Sequence, residues 1–223
     1  MLDAVRLRTL PVRVPQELVS VKFQESALRS GWGSSRSAEL TYPLWNEIRK
    51  RQQAFSGMVA LSAARFNLAS GGEVRYAEGL YVSGGFFEVF GVPPLLGRTF
   101  TEADDPPACQ SPGAVISRSF WQREFGADPG VVDRSVRLDG RAFPIIGVTP
   151  ASFLGVEVEF RYDVAVPLCA DSLLAPSPLE ITRRIPRRDA WWLSVMGRLK
   201  TGLDRPPGRH SFERLTPSSP FMK

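Results

Sequence analysis

The sequence predicts a mixed fold in which short β-strands outnumber short α-helices. The 223 residues include 19 glycines and 19 prolines, which favour turns and short elements over long helices. Apolar and polar residues alternate in several short runs, as they do in half-buried strands, whereas three segments carry helix signals. Hydrophobic content of 43% and charged content of 23% are ordinary for a globular domain.

The first half of the chain predicts strands around one capped helix. Residues 18–23 alternate and are expected to form a strand. A helix is expected over residues 41–55, because the Thr41 hydroxyl can accept first-turn amides and the missing N–H of Pro43 costs nothing there. Two further strands are predicted at 58–69 and 74–83, joined by a glycine turn.

A short aromatic helix is predicted next, over residues 86–91, and Gly91 is expected to end it. Its phenylalanines resemble an aromatic binding box, but at this spacing in one helical turn they are expected to be core residues. They are Phe86, Phe87 and Phe90.

Residues 113–150 contain the clearest capping and turn residues of the chain. A short strand at 113–117 leads into a helix that Ser117 or Ser119 can cap and that Gly126 ends. Asp128 followed by proline predicts a further single turn.

A hairpin is predicted to follow, because Asp139-Gly140 is the dipeptide that favours a type I′ turn. In that hairpin Val136 is expected to face Phe143, and Pro144 to mark an edge or a solvent-facing N–H. Further strands are expected at 161–168 and 190–200.

Basic residues cluster in one segment of the chain, residues 183–188. The net charge is +5, and the other arginines are mostly scattered. A phosphate-binding face usually combines a basic cluster with stacking aromatic residues or a helix that reads bases, and the proline-rich surroundings of this cluster predict neither. Nucleic acid is therefore not an expected partner, and an anionic membrane surface is the better one. The candidate contact patch comprises Arg183, Arg184, Arg187 and Arg188.

Residues that could carry chemistry do not form a recognisable site. The single histidine, His210, lies in a patternless, proline-rich tail, and phosphate-loop, dinucleotide and nucleophile-elbow motifs are absent. The carboxylates lack calcium-loop spacing and a groove partner, so they are expected to face solvent. No catalytic residue, metal ligand or cofactor site is predicted. The carboxylates considered are Glu102, Asp104, Asp105, Glu157 and Glu159.

Two alternatives to a non-catalytic domain remain open at this point. One is a hydrolase that uses those carboxylates across a cleft. The other is a module that binds a membrane surface or nucleic acid through the arginine patch.

Cysteine usage leaves two outcomes open. Cys109 and Cys169 lie 60 residues apart and could form a disulfide in an oxidising compartment, or stay as two partly buried thiols. No run of 18 apolar residues occurs, and arginines interrupt the N-terminus where a signal peptide would be apolar.

Several segments in order resemble the periplasmic core domain of MacB-type ABC transporter permeases, especially the large permeases of acidobacteria. They are "YPLWNEIRKRQQAFSGMVA", "LYVSGGFFEVFGVPPLLGRTFT", "VISRSFWQREFGADPGVVDRSVRLDGRAFPIIGVTPASF", "DVAVPL" and "LSVMGRLKTG". The resemblance covers about residues 1–203. It implies an extracytoplasmic domain between two transmembrane helices that is not an enzyme. Its expected partners are the permease membrane segments, a separate ATPase, and a periplasmic partner or substrate.

The resemblance also implies an α+β fold, with a mixed βαβ-type subdomain and a smaller β-rich subdomain inserted into it. Residues 1–17 would follow a transmembrane helix, 18–97 with 189–202 would form an incomplete first subdomain, and 98–188 the insertion. A Cys109–Cys169 disulfide is implied by the oxidising location. Residues 203–223 are expected to be a disordered tail in place of a helix and strand, as in a truncated product or fragment.

Overall fold

Groups of two or three strands are separated along the chain by single helices. A computed structural model describes residues 12–21, 32–33, 40–69, 73–105, 113–156, 161–174 and 184–202. The strands are β1 (Leu18–Val21), β2 (Trp32–Gly33), β3 (Phe55–Asn67), β4 (Tyr76–Val82), β5 (Leu96–Gly97), β6 (Ala114–Ile116), β7 (Ser135–Leu138), β8 (Arg141–Val148), β9 (Val164–Pro167), β10 (Ala190–Trp191) and β11 (Ser194–Leu199). The α-helices are α1 (Tyr42–Arg51), α2 (Phe86–Phe90), α3 (Arg118–Phe125) and α4 (Asp171–Leu174).

Nine of these strands form one mixed sheet. The strand order is β1-β11-β3-β4-β9-β6-β8-β5, and β7 pairs with β8. Most neighbours are antiparallel, but β4 with β9 and β6 with β8 are parallel. A separate parallel pair joins β10 to β2. This arrangement of helices on a mixed sheet confirms the predicted α+β class.

α1 and α3 begin where their capping residues predict, and α2 and α3 end at the predicted glycines. α1 ends at Arg51 rather than Phe55, because Phe55 is the first residue of β3. The Thr41 hydroxyl accepts the N–H of Leu44 at the start of α1, and the Ser117 hydroxyl accepts the N–H of Phe120 at the start of α3. Gly91 and Gly126 end α2 and α3 in the left-handed conformation. Ser117, rather than Ser119, is the cap of α3.

The Asp139-Gly140 hairpin has the predicted register. Val136 lies opposite Phe143, and both turn residues have positive φ, 47° and 81°. Pro144 pairs with Ser135 in the part of β8 whose partner is β7, before β8 joins β6 and β5. The proline therefore lies where β8 has a strand on one side, in accord with its missing donor.

Alternating residues of the sheet divide the core into two layers. Ala60 and Tyr81 face one layer, whereas Val59 and Leu80 face the other. The second layer is aromatic and contains the predicted core residues of α2, which pack edge-on against one another and against Phe153. Its aromatic members are Phe86, Phe87, Phe90, Phe100, Phe153 and Tyr162.

The predicted subdomain boundaries fall within the continuous sheet. Strands from 18–97 and from 98–188 pair directly, as β4 does with β9. The division stays a prediction. Residues 1–11 and the predicted tail at 203–223 lie outside the described residues. No helix within the described parts of the chain is long and apolar enough to span a membrane.

Candidate functional site

The two ends of the sheet-forming chain lie side by side. β1 is an edge strand and pairs antiparallel with β11, so that Leu18 lies opposite Arg198 and Val21 opposite Val195. In an antiparallel pair the first residue of one strand lies beside the last residue of the other. The chain therefore arrives at the sheet and leaves it at the same end.

The incoming segment, residues 12–17, packs against the C-terminal end of α2. The backbone N–H of Arg13 donates to the carbonyl of Phe90 at 3.1 Å. Gly91 has a φ of +69°, and a Cβ at this position would lie 2.6 Å from the Cβ of Arg13. Only glycine lets the two segments approach this closely.

The Arg198 side chain fastens this segment to α2 and β11, and we call these contacts the Arg198 clasp. Its Nε donates to the Val89 carbonyl at 3.0 Å, and its Nη1 donates to the Val14 carbonyl at 3.1 Å. It also donates to the Arg13 carbonyl and forms an ion pair with Glu17 at 3.0 Å. The Arg198 side chain is 12% exposed.

The clasp matches a donor-rich side chain to carbonyls that need partners. The last carbonyls of a helix lack intrahelical donors, and Val89 lies in the last turn of α2. A guanidinium offers five N–H donors in a fixed fork. Arg198 thus joins segments that lie 109 and 184 residues away in sequence. Each carbonyl left without a donor would cost about 1–3 kcal/mol if buried.

A groove of about 430 Å³ lies beside the clasp. Its lining includes Gly57, Gly84, Glu88 and Glu102. A Cβ on Gly57 would lie 2.6 Å from Val89 Cγ2, so β3 and α2 are in contact through this glycine. The planar guanidinium of Arg198 therefore holds residues 13–17 and α2 against β11.

The cysteine candidates are only partly described. Cys169 is buried in the turn after β9, where its N–H donates to Asp105 at 3.1 Å. Its sulfur lies 3.7 Å from the Asp104 carbonyl oxygen. Cys109 lies outside the described residues.

The described arginines of the candidate patch have different surroundings. The Arg184 guanidinium lies 4.0 Å from the ring centre of Trp192 and pairs with the buried Asp171 at 2.6 Å. Arg187 pairs with Asp189. Arg188 is exposed, and Arg183 lies outside the described residues, so the contact patch stays a prediction.

The candidate carboxylates have different surroundings: Glu102 faces solvent as predicted, whereas Asp104 and Asp105 are partly buried, contrary to the prediction. Asp104 binds Arg98 through both oxygens at 2.8 Å and accepts the N–H of Thr101. Although burial alone would raise it, the hydrogen bonds from Arg98 and Thr101 hold the pKa of Asp104 below its ordinary value. Glu102 lies 4.0 Å from Arg49. Glu157, Glu159 and His210 lie outside the described residues.

Asp105 has the most strongly altered carboxyl. Burial raises the pKa of Asp105 to about 7, against the lowering effect of hydrogen bonds from the N–H groups of Cys169 and Gly84 and of the nearby Arg49. Within the described residues, no group of histidine, cysteine and acidic side chains could hold a metal ion.

Sequence reasoning missed the Arg198 clasp. One signal was present, because Arg198 falls on the same face as Met196 in a strand with mostly buried positions. A charge on such a face requires partners. Those partners come from residues 13–17 and 89, which local patterns could not bring to the same place.

Solved structures with the same fold are extracytoplasmic parts of transporters. The periplasmic region of MacB from Actinobacillus actinomycetemcomitans aligns with a TM-score of 0.58 at 17% identity, covering 84% of this chain and 76% of that one. The extracellular domain of the noncanonic ABC-type transporter YknZ from Gram-positive bacteria aligns with a TM-score of 0.53 at 16% identity, covering 83% of each chain.

Among curated proteins, no sequence matches this chain significantly. The family model of the MacB-like periplasmic core domain matches residues 8–214, which is most of the chain. That family belongs to ABC transporter permeases, which work with transmembrane segments and an ATPase. On this match, the chain belongs to the family of MacB-like periplasmic core domains of ABC transporter permeases.

Proposed function

We propose that this domain is a non-catalytic mechanical element that carries movement of permease membrane segments to an extracytoplasmic substrate or partner. The observation that carries the proposal is the pairing of the chain ends across β1 and β11, held by Arg198. A domain inserted between two membrane spans must send both ends to the membrane. A span that moves would therefore pull on the sheet at the Arg198 clasp.

The contacts of β11 and α2 should transmit that movement to the rest of the sheet. β11 lies between β1 and β3, so it is hydrogen-bonded on both sides. α2 packs its three buried phenylalanines against Phe153, with the ring centres of Phe86 and Phe153 6.4 Å apart. Close-packed interiors have low compressibility and transmit displacement.

We also propose that Cys109 and Cys169 form a disulfide. An extracytoplasmic location permits it. Cys169 is buried, and its sulfur lies close to Asp104, which precedes Cys109 by five residues. The bond would hold the segment after residue 105 against the turn that follows β9.

The mechanical role can be tested in the full permease that carries this domain, reconstituted with its ATPase. Amide hydrogen exchange is compared between the ATP-bound and ADP-bound states. We expect changes in residues 12–21 and in α2, and an Arg198→Met variant should hydrolyse ATP while the change in α2 disappears. Exchange that is identical in the two nucleotide states throughout the domain would contradict the proposal.

The absence of catalysis needs a separate assay. We expect the purified chain to hydrolyse ester, glycoside and ATP substrates no faster than buffer does. A turnover that disappears in an Asp105→Asn variant would favour the hydrolase alternative instead.

A further inference from the structure

A second groove, of about 210 Å³, lies at the N-terminal end of α3, and we call it the α3 groove. The loop after β8 and the residues before β9 form its other walls. Its lining includes Arg118, Ser119, Gln122, Leu154, Arg161 and Tyr162.

The walls of the α3 groove are fixed by buried contacts. The Tyr162 hydroxyl lies 2.5 Å from the Thr149 hydroxyl, and both residues are buried. The backbone N–H of Ser117 donates to Asp163 at 2.9 Å, which joins the start of α3 to the residues before β9. The groove is therefore formed before any ligand arrives.

The two arginines of the groove have no acidic partner among the described residues, although other arginines nearby do. Arg123, one and a half turns further along α3, pairs with Asp163 at 3.0 Å. The second oxygen of Asp163 accepts the N–H of Glu78. The Asp163 carboxylate is thus already engaged, and Arg118 and Arg161 are exposed at the groove.

An apolar surface accompanies these charges. Leu154 is 44% exposed at the groove, a large exposure for a leucine that follows the buried Phe153. Two cations beside an exposed aliphatic side chain complement a ligand that carries both carboxylates and an aliphatic group. Inorganic anions could use the arginines but not the leucine.

The groove lies towards the opposite end of the sheet from the paired chain ends. Phe55 pairs with Leu199 at the chain-end side of β3, whereas Arg65, ten residues on, is level with Glu78 and hence with Asp163. If the chain ends face the membrane, as the proposed function requires, the groove faces away from it. The ligand chemistry of the groove does not depend on this orientation.

The geometry points to a docking site for an acidic segment of an extracytoplasmic partner protein. The segment would place carboxylates on Arg118 and Arg161 and an aliphatic side chain on Leu154. This assigns a partner chemistry to the face of the domain distant from the chain ends.

The test uses the full 223-residue chain and a fluorescein-labelled peptide, Glu-Leu-Glu-Glu-Leu-Glu, followed by fluorescence anisotropy at low ionic strength. We expect saturable binding that weakens about tenfold in Arg118→Gln/Arg161→Gln, since each exposed charge pair contributes modestly. Leu154→Ser should weaken it about threefold. The Gln-Leu-Gln-Gln-Leu-Gln peptide should not bind.

A matched control removes the same charge elsewhere. Arg137→Gln/Arg141→Gln alters two exposed arginines of the β7–β8 hairpin and should leave the affinity unchanged within about twofold. Equal weakening in this control would mean non-specific charge attraction and would overturn the proposal. So would the absence of saturable binding by correctly folded protein.

Two further measurements distinguish the acidic peptide from other anionic ligands. Inorganic phosphate in excess should not displace the peptide, and vesicles of phosphatidylglycerol should not bind through Arg118 and Arg161. Displacement by phosphate would make this a small-anion site, and arginine-dependent vesicle binding would make it a membrane surface. Either outcome would overturn this inference while leaving the Arg198 clasp, and the test of its movement, unaffected.

Discussion

The Arg198 clasp and the α3 groove use arginine in opposite ways. Arg198 is mostly buried, and its guanidinium is occupied by backbone carbonyls and by Glu17. Arg118 and Arg161 are exposed and have no carboxylate partner among the described residues. The first region is closed by contacts within the chain, whereas the second offers its charges outward. Stability should therefore depend on the first region, and recognition on the second.

The largest expected effect belongs to the proposed disulfide. It would join Cys169, in the turn that follows β9, to the segment after residue 105. Closing a loop of 60 residues contributes about 4 kcal/mol in the chain-entropy model. A reductant should therefore lower Tm by about 10 °C, measured by circular dichroism.

Cys109→Ser/Cys169→Ser is the control for this experiment, and its Tm should not respond to reductant. An unchanged Tm of the wild-type chain under reducing conditions would show that the cysteines are not paired.

Replacing Arg198 by methionine should cost about 3 kcal/mol of unfolding free energy, because the carbonyls of Arg13, Val14 and Val89 lose a donor. Urea denaturation gives this value. Arg141→Met, at an exposed arginine of the hairpin, is the matched control and should stay within about 0.5 kcal/mol of wild type. Equal stability of the two variants would contradict the assignment of a structural role to the clasp.

The Asp105 carboxyl should make the free energy of unfolding depend on pH. Because burial raises the pKa of Asp105 from 3.8 to about 7, its protonated form is favoured in the folded state. Stability is then greatest below the unfolded pKa and falls as pH rises towards the folded pKa. The groups that face it are Arg49 and Tyr42, besides the backbone N–H donors of Cys169 and Gly84.

Between pH 4 and pH 7.5 the free energy of unfolding should fall by about 2 kcal/mol. This is half of the value that the pKa shift of Asp105 would give for a completely buried carboxyl. Urea titrations at several pH values measure it. Asp105→Asn should remove most of this loss, whereas Glu73→Gln, an exposed acid, should leave it in place. The same slope in wild type and Asp105→Asn would assign the pH dependence to other groups.

The smallest expected effect belongs to the α3 groove. Arg118→Gln/Arg161→Gln should change the unfolding free energy by less than about 0.5 kcal/mol, since exposed side chains without partners contribute little. Urea denaturation is again the measurement. A loss similar to that of Arg198→Met would remove the distinction between the two regions.

Capping and turn residues made many of the helix ends and turns predictable from the sequence. Thr41, Ser117, Gly126 and the Asp139-Gly140 turn specify their structures within a few residues, because caps and turns depend on neighbouring backbone groups. The core position of the α2 phenylalanines followed from their spacing. Family resemblance, rather than periodicity, supplied the α+β arrangement.

The parts that could not be predicted depend on distant residues. The parallel pairings of β4 with β9 and of β6 with β8 join strands whose partners no local pattern specifies. The contacts of Arg198 could not be predicted, because they depend on where residues 13–17 run in the fold. The absence of a described acidic partner for Arg118 could not be predicted either, because it depends on the pairing of Asp163 with Arg123. Burial of Asp105 likewise depends on Cys169 and Gly84, far from it in sequence.

The central claim is that Arg198 couples the incoming chain segment to α2. NMR amide exchange in the 223-residue chain tests it most directly, by comparing wild type with Arg198→Met. We expect the amides of Val89, Gly91 and Val92, which bond within and just after α2, to exchange at least about tenfold faster in the variant. The amides of the β7–β8 hairpin should change much less. Faster exchange confined to residues 12–17, with α2 unchanged, would contradict the claim.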